Sequence, residues 1–302
     1  MTLAIPKPIA TLDVSGADGA VIRVRRHGNP HGNRLIVSHG NGFAIDGYIG
    51  FWGRFLADFE VIAFDARNHG WNALADPSGH DYAHMAHDLD FVREAIEGEF
   101  GMKPTVGLFH SMSAQAAMIA ALEFGWRFDA LVLFDPPNNP EGGHPVRPAM
   151  VSYLETLVAW AEGRREHFDD PEGLARDYAA TRAGRNWVEG AHLAVAYSVL
   201  RAAPTSGWAL RCPRHLEASM YRQGITLDLW PPANKFAGPV KLIGADPLRE
   251  RPTPTALSNQ ALAREGGYDY LAVTGAGHLL QLEAPAVCAA AVREFLAGVG
   301  IR

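Results

Sequence analysis

Apolar residues along the chain gather into short runs between polar turns, and several runs are continuous rather than alternating. "RLIVS" (34–38), "EVIAFD" (60–65), "TVGLF" (105–109), "ALVLFD" (130–135) and "VKLIG" (240–244) are of this kind. Together with "AVIRVR" (20–25) and "YLAVTG" (270–275) they predict seven strands. Unbroken apolar strands belong to a parallel sheet covered on both faces. Between them lie helical patterns such as "HMAHDLDFVREAIEGEF" and "APAVCAAAVREFLAGV", the latter placing Cys288, Val292, Phe295 and Leu296 on one face. Strand and helix in regular alternation predict an α/β fold with a doubly wound, mostly parallel sheet.

One interval breaks the rhythm. From Pro136 to Gly238 no strand pattern is visible, and the interval opens with "PPNNPEGGHP" and closes with "WPPANKFAGP", both rich in turn formers. Inside are helical stretches, "MVSYLETLVAWAEGR" and "AHLAVAYSVLRAA". The expected organisation is a core of residues 1–135 and 239–302 with a helical cap (lid) domain, 136–238, inserted over one edge of the sheet. Trp160, Trp187, Trp208 and Trp230 fall in the insert; they are expected to anchor its packing, with an apolar substrate pocket as the sharper use.

Composition changes this picture little. A 302-residue chain with 48% hydrophobic and 20% charged residues is ordinary for a globular protein. Its net charge of −6 is dispersed, so neither nucleic acid nor an anionic membrane is an expected partner. No stretch approaches the roughly 20 apolar residues of a membrane span, and no secretory leader is visible, so a cytoplasmic protein is expected. The two cysteines, Cys212 and Cys288, are too few and too far apart for a thiolate metal cluster and read as small core residues.

Candidate chemistry centres on "GLFHSMSAQ" (107–115), where a buried strand runs into an alanine-rich helix. A serine on such a tight turn projects its hydroxyl above the sheet, and the next amide sits at a helix N-terminus able to meet an oxyanion. The stretch resembles the nucleophile elbow of the α/β-hydrolase superfamily, in its serine-nucleophile, esterase- and lipase-like branch, whose usual form is G-x-S-x-G. Phe109 and Ser113 stand where glycines are usual. Other segments of the family follow in order: "LIVSHGNGF", similar to the H-G-x stretch of the oxyanion hole; "VIAFDARNHGWN", similar to D-x-R-G-H-G-x-S; and "VTGAGHLLQLEAP", similar to the segment that delivers the base. The resemblance covers the chain from Ile22 to Leu296.

What the resemblance implies is a Ser-His-Asp triad with Ser111 as nucleophile, His278 as base and Asp246, in "VKLIGADPL", as acid, with backbone amides of Asn41 and Met112 as oxyanion donors. Asp135 is the alternative acid, since some family members carry it after the earlier strand; otherwise it would cap the turn into "PPNN". A neutral imidazole suits proton removal from serine near pH 7, and a carboxylate fixes its tautomer. Dehalogenase and epoxide hydrolase chemistry, which needs a carboxylate nucleophile, is disfavoured by Ser111 and Met112. The expected activity is hydrolysis of a carboxylic ester or related acyl bond of a small apolar or aromatic substrate, without cofactor or metal. Lactone, thioester or C–C bond hydrolysis, perhydrolysis or hydroxynitrile cleavage would use the same residues. A slow or non-catalytic ligand-binding or sensor protein is the alternative from a different class, motivated by the missing glycines. His110 is expected to be structural, Asp65 and Arg67 to be a loop-fixing pair, and His80, His84 and His87 to lie on one helix face that is solvated or partly packed rather than metal-binding.

Overall fold

The structure is a computed structural model that describes residues 3–301. Its eleven strands are β1 (Ala10–Ser15), β2 (Val21–Gly28), β3 (Arg34–Ser38), β4 (Glu60–Phe64), β5 (Thr105–His110), β6 (Ala130–Phe134), β7 (His167–Phe168), β8 (Leu200–Ala202), β9 (Trp208–Leu210), β10 (Val240–Ala245) and β11 (Asp269–Val273). The helices are α1 (Ile49–Trp52), α2 (Tyr82–Phe100), α3 (Met112–Glu123), α4 (Arg147–Gly163), α5 (Pro171–Ala180), α6 (Ala191–Val199), α7 (Arg214–Thr226), α8 (Pro254–Gly266), α9 (Leu280–Glu283) and α10 (Pro285–Gly298).

Eight strands form one sheet in the order β1-β2-β4-β3-β5-β6-β10-β11. β1 and β2 pair antiparallel, as do β2 and β4, and the pairs from β4 onward are parallel. β3, β4, β5 and β6 are buried at every position, as continuous apolar runs covered on both faces should be. Two apolar clusters lie on opposite faces: one gathers Leu35, Val37, Trp52, Phe55 and the α10 face Cys288, Val292, Phe295 and Leu296. The other gathers Ile36, Ile62, Leu89, Val92 and most of α3. All seven sequence-derived strands are present; β1, whose polar and apolar residues alternate at the sheet edge, is an addition.

Helix starts follow local chemistry. Asp81 caps α2 by accepting from the His84 N–H at 2.8 Å, Asp170 caps α5 through Gly173, and Thr253 caps α8 through Ala256. The insert between β6 and β10 holds α4 to α7 and is not wholly helical. β7, β9 and β8 make a small antiparallel sheet, and the helical pattern expected through Ala203 stops at Val199, where the chain turns into β8. Strands of two or three residues are too short to show alternation. Within the insert α4 packs on α7 and α5 on α6, while α6 also rests on the single turn Ile45–Tyr48 of the core. No helix among the described residues is long and apolar enough to cross a membrane.

Candidate active site

The candidate site lies at the C-terminal ends of the parallel strands. β5 ends at His110, α3 begins at Met112, and Ser111 between them has φ 54° and ψ −115°. That left-handed conformation is strained for a residue with a Cβ and persists only when its surroundings enforce it. The Ser111 N–H donates to Phe134 O at 2.9 Å, and its carbonyl accepts from Gln115. Ser113 closes the turn: its hydroxyl lies 3.0 Å from both the His110 N–H, from which it accepts, and the His110 carbonyl, to which it donates.

The bulky Phe109 also fits, for a reason found two residues earlier. Phe109 and Gly107 share one face of β5, and a Cβ on Gly107 would meet Phe109 Cε2 at 2.4 Å and Leu131 Cδ2 at 2.6 Å. The ring lies in the space that Gly107 leaves, edge-on to Phe128 at 5.8 Å. Crowding that a glycine at 109 would relieve is here relieved at 107.

His278 joins the site from the loop after β11. Its Nε2 lies 3.0 Å from Ser111 Oγ and its Nδ1 lies 2.7 Å from Asp135 Oδ2. The expectation that Asp246 would stand at this ring does not match the geometry. Asp246 instead accepts from Leu248 N at 2.8 Å and from Gly275 N at 2.7 Å, so both of its oxygens tie down the loops after β10 and β11. The two carboxylates are separated by their partners: Asp135, after β6, turns Oδ2 onto the ring, whereas Asp246, after β10, is taken up by the N–H groups of Leu248 and Gly275.

Asp135 is fully buried and has φ 41°, one of three non-glycine residues in the left-handed region among the described residues, together with Ser111 and Asn68. Its Oδ1 accepts from Ala245 N at 2.9 Å and from Asn259 Nδ2 at 3.0 Å, and its Oδ2 accepts from Thr255 Oγ1 at 2.6 Å as well as from His278. Burial alone would raise its pKa, but the hydrogen bonds and charge of His278, with those of Thr255 and Ala245, outweigh burial and hold the carboxyl below the usual carboxylate range.

The remaining parts position these three. A Cβ on Gly40 would lie 2.9 Å from His110 Nδ1 and 3.1 Å from Ser111 Cβ, so only glycine lets the "HGN" backbone approach Ser111. Next to it, Asn41 is held by its Nδ2 donating to Glu217 O at 2.8 Å. The N–H of Met112 opens α3, where no preceding helical carbonyl exists to accept it. His110 accepts from Tyr48 OH through Nδ1 at 2.9 Å and donates from Nε2 to the His278 carbonyl at 2.9 Å. Burial, followed by the nearby His278, lowers its pKa to about 3, so the ring is neutral. Glu283 accepts from the Gly277 N–H at 2.9 Å, steadying the loop that carries His278.

Above Ser111 opens a cavity of about 270 Å³ between core and insert. Phe43, Leu154, Leu157, Trp160, Trp187 and Leu279 supply most of its apolar wall, with the phenol rings of Tyr153, Tyr178 and Tyr221. Of the four tryptophans of the insert, Trp160 and Trp187 reach this wall, whereas Trp208 stands edge-on to Tyr197 and Trp230 donates to Glu265 elsewhere. The tyrosines escape a motif search because they come from α4, α5 and α7; the only trace is the four-residue spacing of Tyr153 and Leu157 on one helix face.

Other singled-out residues take structural places. Asp65 and Arg67 do not pair with each other: Asp65 holds Arg25 at 2.8 Å, and Arg67 holds Asp88 and Asp18, each at 2.7 Å. His80 precedes α2 and is buried beside His69, His84 bonds Asp81, and His87 stacks on Phe124. Because His80 lies outside α2, the three do not form one helix face, and among the described residues no group of three or more His, Cys, Asp or Glu side chains could hold a metal ion. Cys212 and Cys288 are buried and unpaired with each other.

With this geometry in place, comparison with known proteins assigns the class. The sequence model of the Alpha/beta hydrolase family matches residues 35–291, and the chain belongs to that family; the coarse reading as a hydrolase follows. No curated protein matches the chain. Among solved structures it is similar to E-2-(acetamidomethylene)succinate hydrolase, with a TM-score of 0.78 at 18% identity, covering 95% of this chain and 99% of that one. It is also similar to the thioesterase domain from the curacin biosynthetic pathway, with a TM-score of 0.69 at 18% identity over 94% and 99% of the two chains. A thermophilic esterase from Thermogutta terrifontis gives 0.65 at 18% over 96% and 99%. At such identity these likenesses establish the fold alone.

Proposed function

We propose that the protein is a serine hydrolase that cleaves a carboxylic ester or related acyl bond, with Ser111 as nucleophile, His278 as general base and Asp135 as the acid of the triad. One observation carries the reading: the His278 ring spans Ser111 Oγ and Asp135 Oδ2 at 3.0 and 2.7 Å. Because Asp135 accepts at Nδ1, the proton sits there and the Nε2 lone pair faces the serine. Ser111 Oγ attacks the carbonyl carbon while His278 Nε2 takes the hydroxyl proton. The carbonyl oxygen becomes an oxyanion met by the Met112 and Asn41 N–H groups, and the charge on the imidazolium is balanced by Asp135. Collapse expels the alkoxide, which takes the proton from Nε2. Water activated by the same base then releases the acid from Ser111.

The cavity supports an apolar or aromatic acyl group. A slow ligand-binding protein draws its case from the missing elbow glycines, and the 3.0 Å contact of Ser111 with His278 speaks against a displaced hydroxyl. The test is incubation with a fluorophosphonate followed by intact mass and a p-nitrophenyl ester assay. One adduct and turnover are expected for wild type and neither for Ser111→Ala. Wild type that stays unlabelled and inert beside a reactive control esterase refutes the reading.

A further inference from the structure

The cavity combines two features that restrict what it can hold. Among the described residues that line it, none is Asp, Glu, Lys or Arg. A buried cation behind the wall is committed. Arg164 sits with its guanidinium 4.8 Å from the Trp160 ring and donates to Glu217 Oε2 at 2.6 Å and to Tyr178 OH at 3.0 Å. Both members of this ion pair are nearly fully buried, the Arg164 side chain 7% exposed and that of Glu217 1%. Glu217 neutralises the arginine, and its second oxygen, Oε1, is buried without a partner. A carboxylate entering the cavity would lose its hydration and meet no Lys or Arg among the residues that line it, while an unsatisfied glutamate oxygen stands behind the wall.

Polar handles are nonetheless present. Tyr48, Tyr82, Tyr178, Tyr197 and Tyr268 each have a hydrogen-bonded hydroxyl. Tyr153 and Tyr221, both lining the cavity, have no such partner among the described residues. They come from α4 and α7, which pack on each other, so the two phenols belong to one wall. A phenol in the wall of an apolar cavity, with its O–H uncommitted, offers a donor to an acceptor on a bound molecule.

We infer that the cavity selects an uncharged substrate whose apolar body carries, away from the bond that is cleaved, a carbonyl or ether oxygen that accepts from Tyr153 and Tyr221, and that it rejects the corresponding carboxylate. This rests on the serine hydrolase reading and names the substrate class of the same site. It separates this chain from the hydrolase of similar fold whose name carries a succinate.

Three p-nitrophenyl esters of matched length test it: the pentanoate, the methyl glutarate and the glutarate with a free carboxylate. The wild type should favour the methyl glutarate over the free acid by on the order of 100-fold or more in kcat/KM, the size expected for an unpaired buried charge. It should favour methyl glutarate over pentanoate by about tenfold, one hydrogen bond's worth. In the Tyr153→Phe/Tyr221→Phe variant the second ratio should fall towards one. Comparable turnover of acid and methyl ester, or a methyl glutarate preference that survives the double substitution, overturns the inference while leaving the serine reading intact. A binding measurement independent of turnover uses Ser111→Ala. The methyl ester of glutaric acid monoanilide should quench tryptophan fluorescence, since Trp160 and Trp187 line the cavity, at concentrations where the free acid does not. Equal quenching by the two also overturns it, even for a chain that hydrolyses nothing.

Discussion

Replacing Asp135 by Asn gives the sharpest test of the triad, because the structure dictates what the amide must do. Oδ1 accepts from Ala245 N and Asn259 Nδ2, and Oδ2 accepts from Thr255 Oγ1 and His278 Nδ1. An amide NH2 placed at the Oδ1 site would face two donors. Placed at the Oδ2 site it donates to His278 only if Nδ1 becomes the acceptor, which moves the ring proton to Nε2 and leaves no lone pair for Ser111. The amide therefore takes the second orientation, and the base is held in the wrong tautomer. The expected loss in kcat is about 10⁴-fold, or ~5 kcal/mol of transition-state stabilisation. Stability should fall by about 1–3 kcal/mol, the scale of one mismatched buried polar group. The assay is single-substrate kinetics on a p-nitrophenyl ester, with thermal unfolding and circular dichroism to verify the fold. Asp246→Asn, which alters contacts to Leu248 and Gly275, should keep kcat within about threefold, since the side chain bonds neither Ser111 nor the His278 ring. A crippled Asp246→Asn beside a nearly normal Asp135→Asn would refute the reasoning.

Tyr48→Phe removes the donor to His110 Nδ1 and loosens a ring that braces the His278 carbonyl; kcat should fall by about five- to tenfold with KM little changed, the size of one lost positioning hydrogen bond, and an unaltered kcat counts against the brace. Gly107→Ala should lose about 1–3 kcal/mol of stability through overpacking against Phe109 and Leu131, and Phe109→Leu in the same chain should recover part of it; urea unfolding that shows no recovery would separate the two positions. Acid should destabilise the fold through its neutral histidines. Burial lowers His110 to about 3 and His80 to about 4 from 6.5, so the unfolded chain binds the extra protons. Their contribution is complete above pH 6.5 and is lost as pH falls towards the folded values, at about 1.4 kcal/mol per pH unit for each group. Urea midpoints at pH 7.5, 6.0 and 5.0 should fall progressively, and a flat series would contradict neutral burial.

The sheet was readable in the sequence because burial on both faces leaves an unbroken apolar run, and five adjacent parallel strands carry that mark. What resisted reading has a physical cause in each case. β1 lies at an edge, where one face is solvated and the polar residues of "ATLDVS" dilute the signal. β7, β8 and β9 are held by their neighbours rather than by their own pattern. That Ser111 and His278 come together was readable because each lies in a local motif, strand-turn-helix for one and the glycine-flanked loop for the other. Which carboxylate stands at the ring was not, since any carboxylate that closes a strand looks alike in one dimension. Asp135 and Asp246 each follow an apolar run, and only the folded loops, which give the Asp246 oxygens to Leu248 and Gly275 and leave Asp135 Oδ2 for His278, tell them apart.

The elbow shows how a departure from a local pattern can be compensated within the same strand. Glycine at position 109 would make room for the sharp turn at Ser111, whose φ is 54°, and a phenylalanine there ought to obstruct it. The side-chain period of a strand is two, so Phe109 points to the same face as Gly107, away from Leu108 and His110. Its ring leans back over Gly107 rather than forward into the turn. The room is found one pleat earlier, and the apolar ring then fills the core beside Phe128 and Leu131. Ser113, the other departure, adds a hydroxyl that bonds both the N–H and the carbonyl of His110, replacing glycine's conformational freedom with a polar clasp. Both substitutions preserve the one quantity that the chemistry requires, the position of Ser111 Oγ relative to His278 Nε2. A motif written as residue types misses such solutions. The same motif read as space to be left empty and conformations to be held would accept Gly107, Phe109 and Ser113 as a consistent set.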